Sequence, residues 1–377
     1  MVQEDQIVPT PVEPAVAKVD RVAYLVGGGL TIATAKRAGC RTELDMRSLM
    51  LDALAIASQD TRFSTDEHTG QIINSLLSET PVPKTSLEEL VDLLEQTEHP
   101  ACIQLSEFLS DTFANELSEK SMEVLGESPE NLAEVLLDLH NTVDSSEILA
   151  GIITTNYDNF IEKAFESLQL WPDFGFESPR PSDHRIPLLK LHGSLDWDVA
   201  VPVRVGSALQ NGRRRWIGPR RQKTTSNYPF NMIWGRSREV LAESNVLRIL
   251  GASLWPSDWH IVQLLFQSIY ADRKSPTLRI EVVDFPGVCQ RIQRDNSLLP
   301  IQRIDQIDEV IRHYRASTGI QWEEPITQEQ QDQTRVYMES IKNPIDYWLQ
   351  SRIQSIINSG KSIDTKSNRV AAFALSV

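Results

Sequence analysis

Apolar positions along the chain follow two different periods. Five short, nearly continuous runs, Val22 to Val26, Gly151 to Thr155, Ile186 to Leu191, Val246 to Leu250 and Leu278 to Val283, have the length of strands buried on both faces. Each run ends in glycine or polar residues. Around them the spacing turns helical: Phe160, Ala164 and Phe165 follow the second run at intervals of a helix face. A long helical stretch, approximately residues 44–147, separates the first run from the second. Within it Ser86 to Glu89 form a capping box ahead of Leu87, Leu90, Val91 and Leu94, and Ser128-Pro129 starts a helix carrying Leu132, Val135, Leu136 and Leu139 on one face. Beyond the last run, Ile304, Ile307, Val310 and Ile311 fit an amphipathic helix, and Thr327 to Gln330 offer a cap ahead of Val336, Tyr337 and Ile341. Pro344 then opens a helix with Ile345, Trp348, Leu349, Ile353, Ile356 and Ile357.

This pattern predicts an α/β fold: a parallel sheet with helices on both faces, a large helical insertion and C-terminal helices. Residues 1–20, with Pro9, Pro11 and Pro14, read as a flexible arm, 21–290 as the main domain with its insertion, and 291–377 as a C-terminal helical extension ending in a polar tail from Ser359.

Candidate chemistry gathers where the strands should stop. After Val26 come Gly27, Gly28, Gly29, Leu30 and Thr31, a turn that lets backbone amides approach a phosphate at a helix N-terminus, although tight turns use the same residues. Asn156 and Asp158 follow the second run in the segment TTNYD. They suit a ligand site at a strand's carboxyl end, and they equally suit capping of the next helix. His192, in LHGS, is held between a strand and a glycine turn, where an imidazole can accept a proton near neutrality. Gly251 and Ser253 open the segment GASLWPSD, which ends at Asp258, and Asp284 follows the last run. His68, His99, His140 and His313 stand in polar or helical contexts that suit surface, capping or packing roles.

The order glycine loop, T-x-N-x-D, L-H-G-S and G-x-S-x-x-x-D, each motif after a strand, resembles the sirtuin-like NAD-consuming family with its Rossmann-like fold, in the branch found in bacterial antiphage defence. The resemblance covers roughly residues 20–290. It implies that Gly27 and Gly29, with Gly28 between them, meet the NAD+ diphosphate, and that Thr31 takes the family's serine position. Asn156 would hold water or the nicotinamide-side ribose, Asp158 would support the nicotinamide pocket, and His192 would be the general base. Gly251 and Ser253 would face the nucleotide at the second turn, Asp258 would be the acidic residue of the closing motif, and Asp284 would meet the adenine-side ribose.

Peptide-deacylating sirtuins carry a four-cysteine zinc module, whereas this chain has Cys40, Cys102 and Cys289, with no C-x-x-C pair. No zinc is therefore expected, and water becomes the favoured acceptor. The resemblance then implies an NAD+ glycohydrolase that releases nicotinamide and ADP-ribose as an effector of abortive infection. The segment after 290 is too short for a ligand-sensing domain, so control is expected from homo-oligomerisation and a partner, for which a HerA-family hexameric ATPase fits the resemblance.

Composition changes the picture only at its margins. Nothing near the N-terminus forms a signal peptide and no segment reaches membrane-spanning length, so a cytoplasmic protein is expected. The net charge of -15 disfavours general attachment to nucleic acid. A basic loop with Arg213, Arg214, Arg215, Trp216, Arg220 and Arg221 is the exception. A solvated hairpin turning at Asn211-Gly212 is its favoured reading, ahead of a contact to NAD phosphate, a partner subunit or DNA. Two competing classes follow: a DNA nuclease subunit of a defence complex, and a noncatalytic scaffold binding NAD or ADP-ribose.

Overall fold

The computed structural model describes residues 19–40, 44–78, 85–127, 131–141, 147–176, 185–195, 197, 217, 225–226, 228–254, 258–270, 278–284, 286–296, 299, 301–304 and 343–358. Arg213 to Trp216, Arg220 and Arg221 of the basic loop, the helices expected around Ile307 to Ile311 and Val336 to Ile341, nearly all of the N-terminal arm, Ser128-Pro129 and the tail lie outside the described residues.

Among the described residues, seven strands form one parallel sheet: β1 (Asp20–Val26), β2 (Glu147–Thr154), β3 (Pro172–Asp173), β4 (Ile186–Lys190), β5 (Val246–Leu250), β6 (Arg279–Val283) and β7 (Ile301–Ile304), in the spatial order β3-β4-β2-β1-β5-β6-β7. The fold is thus the expected α/β, Rossmann-type arrangement. Burial on both faces explains the continuous apolar runs. Ala23 and Leu25 of β1 face one layer, with the helices Phe230–Glu243, Trp259–Tyr270 and Pro286–Asp295. Val22, Tyr24 and Val26 face the other, with the helices Gly28–Arg37, Leu132–Asn141, Phe160–Ser167 and Pro344–Asn358. Burying such side chains stabilises the fold by about 1.5–3 kcal/mol each.

The insertion packs as a helical body against the helix Gly28–Arg37 and the residues that follow β2. Its axis is the helix Pro100–Glu127, whose Cys102, Leu105, Leu109, Phe113 and Leu117 recur at helical spacing and are buried against the helices Met46–Gln59 and Leu87–Gln96. The capping box of Ser86 and Glu89 is formed in both directions. Tyr157 and Phe160, which follow β2, belong to the same core, so the insertion and the end of that strand are packed as one unit.

Two features differ from the sequence expectation. Ile304 stands in β7 rather than on a helix, and with Pro286–Asp295 it continues the sheet past residue 290, so the boundary drawn there cuts through the α/β layer. The helix Pro344–Asn358 is also no separate extension. Ile345, Trp348, Leu349 and Ile353 are buried in the sheet's own core, Asp346 pairs with Arg37 at 2.9 Å, and Asn343 Nδ2 donates to the Ala33 carbonyl at 2.9 Å.

A buried charge cluster spans the sheet. Tyr24, Arg248 and Glu281 are register partners on β1, β5 and β6. The Arg248 guanidinium, 2% exposed, bonds Glu281, both Glu147 oxygens and the Tyr24 hydroxyl, which in turn meets His140 Nε2 at 2.8 Å. Arg352 Nη2 approaches Glu147 at 2.8 Å from the closing helix. Burial raises the Glu147 carboxyl, but the bond and charge of Arg248 outweigh it and hold the group down at about 2, while burial, joined by the charges of Arg248 and Arg352 and opposed by Glu147, pulls His140 down to about 4.

Both groups are depressed, so both contributions are complete above the ordinary values of 4.5 and 6.5 and are lost as the pH falls through the folded ones. Each is on the order of 3 kcal/mol. Urea midpoints should decline from pH 6.5 to 4 as the unfolded chain takes up the His140 proton, and further from 4.5 to 2 through Glu147. Glu147→Gln should flatten the lower limb; an unchanged limb would show that the cluster does not govern acid stability.

Candidate active site

Because the strands are parallel, their carboxyl ends share one edge. Register aligns Val26 with Thr154 and Leu250, and Thr154 with Lys190, so the residues that follow β1, β2, β4 and β5 emerge side by side.

The loops after β1 and β5 interlock. Gly27 N donates to the Leu250 carbonyl and Gly29 N to the Gly251 carbonyl, both at 3.0 Å. A Cβ on Gly29 would lie 2.5 Å from Gly251 Cα, and one on Gly27 2.5 Å from the Gly251 carbonyl oxygen. Gly251 itself has φ 58, the left-handed region that glycine adopts without penalty. Gly27 and Gly29 are therefore glycine because backbone meets backbone, and their amides are already engaged. Gly28 differs: it is exposed, a Cβ there would meet nothing within 4 Å, and it is the first residue of Gly28–Arg37. It opens an exposed helix N-terminus, the kind of terminus that suits an anion.

One turn into that helix, the buried Thr31 links two loops. Its hydroxyl donates to Asp158 Oδ2 at 2.8 Å and accepts from Asn156 Nδ2 at 3.1 Å. The other carboxylate oxygen, Asp158 Oδ1, accepts from Phe160 N at 3.2 Å, so Asp158 supports the following helix as well. Burial pushes the Asp158 carboxyl up, against the opposing pull of the Lys190 charge and the Thr31 hydrogen bond.

His192 emerges from the adjacent strand. Gly193, at φ 80, turns the chain immediately after it, with its amide donating to the Lys190 carbonyl at 3.1 Å. The His192 ring, 3% exposed, lies 5.8 Å from Tyr157 and 5.6 Å from His260 by centroid, and its Nε2 is 3.3 Å from His260 Nε2. Trp234 packs against His260 at 5.4 Å and donates its indole N–H to the Leu191 carbonyl at 3.1 Å. Burial holds the Tyr157 phenol well above its ordinary value, reinforced by the charges of Glu88 and Asp258, so this ring stays neutral beside His192. Asp258 is thus within electrostatic reach of the site.

Beneath these groups lies Lys190, a fully buried cation. Its Nζ donates to the Asp158 carbonyl, to Glu162 Oε1 and to Ser194 Oγ, tying the TTNYD and LHGS loops together. Ser253 and Asp284 follow β5 and β6, on the other side of β1. The Ser253 carbonyl accepts from Arg291 at 3.0 Å, and the non-glycine Leu254 beside it sits at φ 45, a strained turn of the kind that collects at functional sites.

The structure therefore joins Thr31, Asn156 and Asp158 by hydrogen bonds, sets His192 on the neighbouring strand end, and interlocks the two glycine turns. Sequence reasoning missed His260 and Lys190. A lysine inside the apolar run Ile186 to Leu191 was the available signal, since a buried charge needs partners. His260 had only its place two residues after Asp258. Among the described residues no three His, Cys, Asp or Glu side chains are grouped to hold a metal ion, and no helix is long and apolar enough to cross a membrane.

Residues 150–301 match the family model of the SIR2-like domain. That span contains TTNYD, LHGS, GASLWPSD and Asp284, while the glycine loop lies outside it and reaches the same edge through the fold. Among solved structures, the chain is similar to Sir2Tm bound to a propionylated peptide, at 14% identity and a TM-score of 0.32, over 80% of this chain and 94% of that one. No curated protein matches the chain.

Thr31→Val keeps the shape of the side chain and removes both hydrogen bonds. It should cost about 1–3 kcal/mol, because Asp158 stays buried without its hydroxyl donor. Thr31→Ser should recover most of this in chemical denaturation, and equal stability of the valine variant would show the link to be incidental.

Proposed function

We propose that the chain is an NAD+ glycohydrolase, using water to release nicotinamide and ADP-ribose. The observation that supports this most is the convergence of Asn156 and His192 at the carboxyl ends of adjacent strands, both buried, next to a helix N-terminus opened by Gly28. The donor set suits the dinucleotide: Gly28 and the helix terminus for the diphosphate, neutral side chains for a cationic ring, and an imidazole for proton uptake.

In the reaction the bond between nicotinamide and ribose breaks, and its electron pair leaves with nicotinamide as a neutral base. A carbon–oxygen bond forms to water, and the proton lost by that water is accepted by His192. The leaving group needs no proton from the protein. The demands are placement of the water and tolerance of positive charge on the sugar, which the Asn156 carboxamide, held by Thr31, meets without charge of its own. The SIR2-like match over residues 150–301 supports the choice of substrate.

A role in antiphage defence, homo-oligomerisation and control by a HerA-family ATPase belong to the same proposal, and rest on the motif resemblance. Purified protein should release nicotinamide and ADP-ribose in equal amounts, at a rate that changes when the ATPase is added. Asn156→Ala and His192→Ala should each lose at least about 10²-fold in rate with unchanged circular dichroism. Wild-type rates in both folded variants would sink the assignment.

A further inference from the structure

A planar carboxamide has an accepting end and a donating end, and the two act differently on an attacking water. Facing the Asn156 oxygen, the water donates one proton and keeps a lone pair for the ribose carbon. Facing the nitrogen, it accepts, and that lone pair is occupied. Which end Asn156 offers is set by the bonds behind it, since the two ends are told apart by their partners.

Those bonds form a line from Asp158 through Thr31 to Asn156. The Thr31 hydroxyl carries one proton and lies 2.8 Å from Asp158 Oδ2 and 3.1 Å from Asn156 Nδ2. An ionised carboxylate only accepts, so it takes the Thr31 proton, and the Thr31 oxygen accepts from Asn156 in turn. A neutral carboxyl can run the line backwards: Asp158 donates to Thr31, Thr31 donates to the Asn156 oxygen, and the nitrogen is left for the ligand. The charge on Asp158 therefore matters, and three elements face it: Thr31 on Gly28–Arg37, the Phe160 amide opening Phe160–Ser167, and Lys190 ending β4. Burial pushes this carboxyl up, and the Lys190 charge is the largest pull the other way. Lys190 is 0% exposed, and its three N–H donors are all used, on the Asp158 carbonyl, Glu162 Oε1 and Ser194 Oγ, so the cation is fixed in place.

We propose that Lys190 is a positioning residue that sets the direction of this line: with Asp158 held as an acceptor, Thr31 donates to Asp158, Asn156 Nδ2 donates to Thr31, and the Asn156 oxygen is the end that holds the reacting water. This deepens the glycohydrolase reading above and rests on it. The step balances: the water proton on Asn156 stays with the product, the other is taken by His192, the water oxygen bonds the ribose carbon, and nicotinamide departs with the electron pair of the broken bond. Lys190 touches no reacting atom. The Phe160 amide makes the direction testable without a change of shape. It donates to Asp158 Oδ1 at 3.2 Å, so in Asp158→Asn the amide oxygen keeps that place and the NH2 group faces Thr31, which reverses the line.

Three measurements on the full chain test this. The 13C carboxyl resonance of Asp158, assigned by its loss in Asp158→Asn, should report a carboxylate in the wild type at neutral pH. It should shift toward the neutral acid in Lys190→Met/Glu162→Gln, where both members of the buried pair are replaced together. In nicotinamide release that double variant should lose about 10- to 100-fold in kcat with KM within about threefold. The acid limb of its kcat profile should move to higher pH, because without the cation the carboxyl takes up its proton sooner as the pH falls. Asp158→Asn should lose a similar factor, and adding Asn156→Asp should recover most of it, because a carboxylate at 156 accepts from Thr31 with one oxygen and offers the other to water. The variants at 156 and 158 carry the comparison if the Lys190 variant does not fold. A neutral Asp158 in the active wild type, a folded Lys190 variant with wild-type kcat and pH profile, or no recovery on the exchange would overturn the role of Lys190. A wild type that releases no nicotinamide would overturn the glycohydrolase reading itself, while the carbon resonance would still decide the charge on Asp158.

Discussion

The contact between the two glycine turns is the constraint from which the rest of the site follows. Gly27 and Gly29 lie against Gly251 and Ala252 so closely that no Cβ fits, and two backbone hydrogen bonds carry the β1–β5 pairing past the ends of the strands. This sets the direction in which Gly28–Arg37 leaves the sheet. The helix N-terminus then opens outward at Gly28, and Thr31, on its first turn, reaches the loop after β2. Ile345 of the closing helix presses on the same point, where a Cβ on Gly251 would lie 2.9 Å from its Cδ1. Shifting either turn by the width of a methyl group would displace every group that Thr31 holds.

Two buried cations reinforce this geometry, Lys190 at the carboxyl end of β4 and Arg248 in the middle of β5. Lys190 joins the two loops that carry Asn156 and His192, and Arg248 joins β1, β2, β5 and β6 through Tyr24, Glu147 and Glu281. A buried pair adds little net stability over a well-packed apolar one, yet removing one partner is costly. Such pairs therefore discriminate between arrangements. A one-residue slip of β5 would carry Arg248 to the opposite face, away from all its acceptors.

Much of the fold was legible because strands buried on both faces leave continuous apolar runs, and five of the seven were read in this way. β3 has two residues and β7 four, too short to show a period, and Ile304 was absorbed into a helical pattern beyond it. The site was legible in part for a related reason. Thr31, Asn156, Asp158 and His192 directly follow strands, so local context marked them. His260 is 68 residues from its partner and sits on a helix, where its spacing matches a packed face, and only the third dimension brings the two rings together. Phosphate approach was the role expected of Gly27 and Gly29, and at both the structure shows a packing reason for the residue type that the sequence did not display.

The helix Pro344–Asn358 has a consequence for the birth of the protein. It is synthesised after every strand among the described residues, yet Ile345, Trp348 and Leu349 fill the layer that also holds Leu30 and Val26. Until it leaves the ribosome, one face of the sheet lacks its cover and the first helix lacks the Arg37 and Ala33 anchors. A growing polypeptide therefore closes this layer late, and the turn at Gly251 and the first helix gain their last supports together, from one helix.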